Sequence, residues 1–162
     1  MPQKPRAVKK VRAPQTHLEE QVFVNLFRTA DALARGAEAL LKPTGLSATQ
    51  YNVLRILRGA GQQGLACREV GCRMISRDPD ITRLMDRMES RGWIARARGE
   101  EDRRVVKTRI TAEGLRVLGE LDAPVQELHR RQLHHLPAKE LRQLSGLLER
   151  ARLIAETPCS QE

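Results

Sequence analysis

A chain of 162 residues suits one domain, or one compact lobe with a helical appendage, and is too short for a (β/α)8 barrel, which takes roughly 250 residues. Hydrophobic residues at 40% and charged residues at 30% allow a core and exclude disorder by composition. The 29 Lys and Arg against 20 Asp and Glu give a formal charge of +9, which favours an acidic partner, nucleic acid ahead of an anionic membrane surface.

Residues 1–16 read as a basic flexible tail, with Lys4, Arg6, Lys9, Lys10 and Arg12 in its first twelve positions and no acid among them. No apolar signal core follows, and no stretch reaches the ~18 apolar residues of a membrane span. A cytoplasmic protein without a membrane partner is the expectation. The cysteines are Cys67, Cys72 and Cys159; an odd number without an export signal argues against a disulfide framework. Cys67 and Cys72 read best as buried, inert thiols. No HExxH or Cys-x2-Cys spacing, glycine-rich phosphate loop or GxSxG elbow occurs. The adjacent His134 and His135 do not converge on one site from a helix. No metal, cofactor or enzymatic activity is expected.

In chain order, Leu18, Val22, Leu26, Ala30, Leu33, Ala37 and Leu40 recur at helical spacing, widened by Phe23 and Phe27, and predict a helix over 18–41. Lys42-Pro43-Thr44-Gly45 breaks it. Ser47 with Gln50 forms a candidate capping box for a helix to about Arg58. Gly59 to Gly64 is a connector, and 66–73 is a short helix with Val70 inward. Asp78-Pro79, with Ser76 as a rival cap, starts a helix that reaches about Arg91 and stops at Gly92. Its apolar face is Ile81, Leu84, Met85 and Met88; Asp80, Arg83 and Arg87 lie opposite. Residues 94–98 and 104–110 read as a β-hairpin. Thr111 caps a helix over 112–134, with a seam of Leu115, Leu118, Leu121, Val125 and Leu128 and a kink or break expected at Pro124. Pro137 precedes a last amphipathic helix through Leu141, Leu144, Leu147, Leu148 and Ala151, and Pro158 ends the order.

Three small helices followed by a two-stranded wing define a winged helix-turn-helix, in which the second helix of the turn pair enters the major groove. The expected fold is therefore mainly α with a small β-hairpin wing. Arg83 and Arg87 are like charges four residues apart, which costs a few tenths of a kcal/mol unless an anion faces them. They are the candidates for guanine edges, and Arg77 for a phosphate. Pro79 and Asp80 sit near a helix start, where backbone N–H groups can also meet phosphate. Arg103, Arg104 and Lys107 supply the wing, with Asp102 placed to hold Arg104 for a narrow minor groove.

Leu46 to Leu54, Asp80 to Ile94, Asp102-Arg103-Arg104 and Ile110 to Gly114 together resemble the MarR family of bacterial winged helix-turn-helix regulators. The resemblance covers about 18–155, and the order and spacing of these segments are more specific than any one of them. It implies a homodimer whose partner is double-stranded DNA carrying a near-palindromic operator, with repression as the simplest outcome. It assigns 17–44 and 111–156 as dimerisation helices flanking a DNA-binding domain at 45–110, with 157–162 as a tail. It matches Asp102 and Arg104 to the wing-tip pair, and Arg83 and Arg87 to exposed reading positions. Many relatives take a small aromatic or anionic effector beside the dimer region, where His17, Arg28 and Tyr51 are compatible positions. Some relatives sense oxidants through a cysteine near the start of the first helix; residues 15–30 have none. A redox-responsive regulator using Cys67 or Cys72 is one alternative. A winged module for protein contact, without operator reading, is the other.

Overall fold

The protein is described here from a computed structural model that covers residues 17–76, 79–98 and 106–155. These residues form α1 (Leu18–Leu41), α2 (Ala48–Ala60), β1 (Leu65–Ala66), α3 (Cys67–Arg73), α4 (Ile81–Ser90), β2 (Ile94–Arg98), β3 (Val106–Ile110), α5 (Ala112–Leu133) and α6 (Ala138–Ala155). Two 3-10 turns, Lys42–Thr44 and Gly61–Gln63, flank α2. The chain divides into two compact units, Met1–Ala34 and Arg35–Glu162.

The first unit contains most of α1. Its apolar side chains Leu18, Val22, Phe23, Leu26 and Phe27 are exposed, and the rings of Phe23 and Phe27 meet at 4.6 Å. The expected stripe is present, but it is unburied in the single chain.

The second unit holds the core. Leu41, Leu46, Val53, Leu54, Leu57, Val70, Leu84, Met85, Met88, Trp93, Ile94, Leu118 and Leu121 are buried together. Each such aliphatic side chain contributes roughly 1.5–3 kcal/mol when removed from water. The capping box at α2 is as expected: Ser47 Oγ accepts from the Gln50 N–H at 3.1 Å, and Gln50 Oε1 accepts from the Ser47 N–H at 3.0 Å. Arg58 then joins α2 to α5 through a two-pronged pair with Asp122, at 2.7 and 2.9 Å. The guanidinium holds the Asp122 carboxyl below its ordinary range through these hydrogen bonds.

The sheet has three strands rather than two. It runs β1-β3-β2, antiparallel throughout, with Leu65 opposite Thr108 and Arg96 opposite Thr108 on the other side. Two residues are too few for a recognisable alternation, so β1 left no periodic trace in the sequence. Gly64, at φ +63°, admits this strand: a Cβ there would meet the Thr108 carbonyl oxygen at 2.7 Å.

Two further expectations are corrected. Pro124 lies inside α5 without breaking it. Both Pro124 and Glu120, whose carbonyl loses its helical donor, are on the exposed side, so water can satisfy that carbonyl. Leu115, assigned to the α5 seam, is 44% exposed, while Leu118, Leu121 and Val125 are buried as expected.

Thr111 caps α5, its Oγ1 accepting from the Gly114 N–H at 3.0 Å and donating to the Gly92 carbonyl at 2.6 Å. This brings Gly114 against the chain leaving α4. A Cβ at Gly114 would overlap the Trp93 carbonyl oxygen and lie 2.8 Å from Ile110 Cγ1. Gly114→Ala should therefore destabilise the fold by about 1–3 kcal/mol. Urea unfolding at neutral pH measures this, and an unchanged midpoint would mean that the junction opens freely.

Candidate nucleic-acid interface

α4 is amphipathic and anchored on one side. Leu84, Met85 and Met88 are essentially inaccessible, and Thr82, Arg83, Asp86 and Arg87 are exposed. The helix begins later than the sequence indicates. Its N-cap is Asp80, not Asp78 or Ser76, with Oδ1 accepting from the Arg83 N–H at 3.2 Å.

This shift changes the part played by Asp80. Instead of standing free in the outward row, its carboxylate caps the helix and pairs with Arg83 Nε at 3.0 Å. The Arg83 side chain is still 81% exposed. Arg87 is exposed one turn on and has no ion-pair partner among the described residues. Pro79 is exposed just ahead of the cap.

Asp86, which the sequence places near Arg83, is instead drawn to the wing. Arg96 of β2 reaches across to α4, with Nη2 2.6 Å from Asp86 Oδ1 and 2.5 Å from Glu89 Oε2. Arg96 Nε donates to Glu89 Oε2 at 2.8 Å, and the Arg96 backbone N–H to Glu89 Oε1 at 3.0 Å. The hydrogen bonds from Arg96 hold the Glu89 carboxyl below the usual carboxylate range. Arg96 counts among the basic hairpin residues in the sequence, but its work here is to brace the helix. The spacing of Asp86 and Glu89, three apart on α4 and followed by a basic strand, is the signal that could have found it.

Arg91 closes the other end of α4. It donates to the Gly45 carbonyl at 2.9 Å and stacks over the Trp93 ring at 4.9 Å. Gly92, at φ +71°, lets the chain turn from α4 into β2. On β3, Lys107 lies opposite Ala66 and Ala97, and Arg109 opposite Ala95. Thr108 is buried, so Lys107 and Arg109 occupy the other face of the sheet, over small neighbours. Arg77, Asp102, Arg103 and Arg104 lie outside the described residues.

The remaining candidates fall elsewhere. Tyr51 packs against the edge of the core with Arg55 over its ring at 6.0 Å, while Arg28 is exposed in the first unit. Cys67 is half-buried and free, and burial pushes its thiol up, away from the reactive thiolate. Cys72 is exposed and disulfide-bonded, against the expectation of two buried free thiols; it stands on the last turn of α3, away from the core. His134 Nδ1 lies 2.7 Å from the Arg131 carbonyl, a local helix-end contact. No helix among the described residues is long and apolar enough to cross a membrane.

An anchored helix with an outward arginine pair, followed by a braced antiparallel wing, defines the protein as a winged helix-turn-helix. The sequence profile of the MarR family matches residues 46–106. The chain is 29% identical over 131 residues to the HTH-type transcriptional repressor IacR of Pseudomonas putida, covering 81% of this chain and 77% of that one. Among solved structures, a MarR transcription factor from Planctomyces limnophilus is 41% identical, with TM-score 0.63 over 82% of this chain and 96% of its own. A mutant MarR from Escherichia coli, solved with operator DNA, is 26% identical, with TM-score 0.73 over 83% of this chain and 98% of its own. This protein belongs to the MarR family. Its relatives are transcriptional regulators rather than enzymes.

The Arg96 brace has a pH signature. Glu89 titrates lower folded than unfolded, so its contribution to stability is complete above the ordinary carboxylate range and is lost as pH falls through the depressed value. Glu89→Gln should be less stable than the parent at pH 7, and the gap should close as the pH is lowered below that range. Urea midpoints across the acid range test this; a constant gap would remove Glu89 from the brace.

Proposed function

We propose that this protein is a homodimeric regulator that sets two copies of α4 into successive major-groove turns of a near-palindromic operator and represses the adjoining gene. The observation that carries this reading is the single-sided burial of α4, which leaves Arg83 and Arg87 exposed on a helix braced to the wing. Two such helices require half-sites about one helical turn apart, roughly 34–36 Å. Arg83 and Arg87 face base edges, Arg77 and the backbone near Pro79 and Asp80 approach phosphate, and the wing residues Arg103, Arg104 and Lys107 reach the flanking minor groove. Asp102 orients Arg104. The operator complex of the Escherichia coli relative and the repressor function in the name of the Pseudomonas putida relative support this assignment.

The exposed apolar residues support the dimer. Phe23 and Phe27 on α1 are 59% and 65% exposed, and Leu144, Leu147 and Leu153 on α6 are exposed as well. Soluble monomers rarely present so many large apolar side chains on two helices. A second copy covering them gives the two-fold axis that a palindrome needs. A small aromatic or anionic effector would release such a dimer by favouring a spacing of the two helices that does not fit the operator.

Selection of duplexes from a random pool by the purified protein should yield a two-fold sequence, and its affinity should fall steeply with salt while its preference over random duplex persists. Arg83→Ala should change the selected sequence more than it weakens binding to random DNA. Arg104→Ala should weaken operator binding with dimer and melting intact. Equal losses on operator and random duplex for Arg83→Ala would contradict base reading. Separately, Phe27→Glu should give a monomer by sedimentation and, with it, loss of operator binding; an intact dimer would move the interface away from α1.

A further inference from the structure

Ile75, between α3 and α4, is 90% exposed, more than any other large hydrophobic side chain among the described residues. Its position is fixed. The preceding Met74 is extended, at φ −67° and ψ 144°, and its side chain is buried. The extended backbone at Met74 carries the chain out of α3, and beyond the buried Met74 the Ile75 side chain is exposed. The Ile75 backbone N–H donates to Asn52 Oδ1 of α2 at 3.0 Å. The chain entering the Ile75 Cα is thus held by two contacts, the buried Met74 side chain and the hydrogen bond to Asn52, and the isoleucine stands in solvent.

Its surroundings are polar and basic. Arg73 and Ser76 are exposed beside it, and the same connection leads through exposed Pro79 and Asp80 into the turn that carries Arg83. In a helix-turn-helix, the first residues of the reading helix meet the base edges, and the connection that enters it approaches the same groove. The apolar group exposed there is the thymine 5-methyl, which aliphatic side chains recognise. Arg73 beside Ile75, with Arg83 in the first turn of α4, favours a polyanion as its partner over a second apolar protein surface.

We propose that Ile75 is a specificity-determining residue that packs on the 5-methyl group of a thymine in the major groove, with Asn52 as its positioning residue. The proposal rests on the operator reading above and adds a base preference to it. The test uses the full-length protein and the duplex that it selects from a random pool. Each thymine of that duplex is replaced in turn by uracil, which lacks only the methyl group. At one thymine of each half-site, uracil should weaken wild-type binding by about threefold to tenfold. Ile75→Ala should show a similar loss on the thymine duplex and no further loss on the uracil duplex, with unchanged melting because the side chain is exposed. If the wild type selects a sequence but Ile75→Ala binds it equally well, or every uracil effect persists in Ile75→Ala, the proposal is overturned and the operator reading stands. If the wild type selects no sequence, both fall together.

Discussion

The burial of Leu84, Met85 and Met88 is the contact on which the rest of the structure depends. α4 has 10 residues, fewer than the ~12–15 at which an isolated helix becomes even marginal in water. Its helicity therefore comes from packing. The three side chains, each worth roughly 1.5–3 kcal/mol on burial, supply both the helix and its orientation. A helix pinned along one side can rotate very little about its axis. What faces outward is then decided by spacing, and one or two residues from the buried positions, off the buried face, the sequence places Thr82, Arg83, Asp86 and Arg87.

Packing fixes which side faces out, but it leaves the wing free to tilt. Arg96 removes that freedom. One guanidinium joins β2 to two carboxylates on α4, and the backbone N–H of the same residue bonds Glu89 as well. These groups are partly solvated, so the network adds modestly to stability. Its planar fork, however, sets direction in a way that a lysine could not. Arg91 makes a comparable link at the end of the helix, between the loop before α2 and the Trp93 ring. The wing and the helix are thus tied together, which the proposed reading of two adjacent grooves requires.

Much of this was legible in the sequence because periodicity reports burial. The bounds of α1, the capping box at Ser47 and Gln50, the inward face of α4, the hairpin strands and the Thr111 cap all follow from spacing or cap chemistry. Contacts between elements remote in the chain were not legible. Arg96 looks like any other basic hairpin residue until the turn at Gly92 brings it over Asp86 and Glu89. Asn52 looks like an ordinary helix residue until Ile75 is placed beside it. β1 was too short to show a period, and Pro124 does not break α5, where the carbonyl it leaves without a donor lies on the exposed side. The start of α4 moved because two plausible caps preceded Asp80, and only the three-dimensional path of the chain decides among them.

On the proposed reading, an acid on a DNA-facing surface calls for a physical reason, and Asp80 supplies one. A carboxylate beside a phosphate backbone is repelled, yet its removal would leave the first turn of α4 uncapped, a loss of about 1 kcal/mol. Asp80 also pairs with Arg83 at Nε. A guanidinium has five N–H donors in a rigid fork, and guanine O6 and N7 need only two of them. On the proposed reading, the two Nη groups remain for the base while Nε stays with Asp80, so the cap need not be broken for the contact to form. Arg83 would then meet the groove with part of its rotamer freedom already lost, and Arg87, with no ion-pair partner among the described residues, would be ordered by the DNA itself. Of the two, the held arginine is the better suited to discriminate between bases.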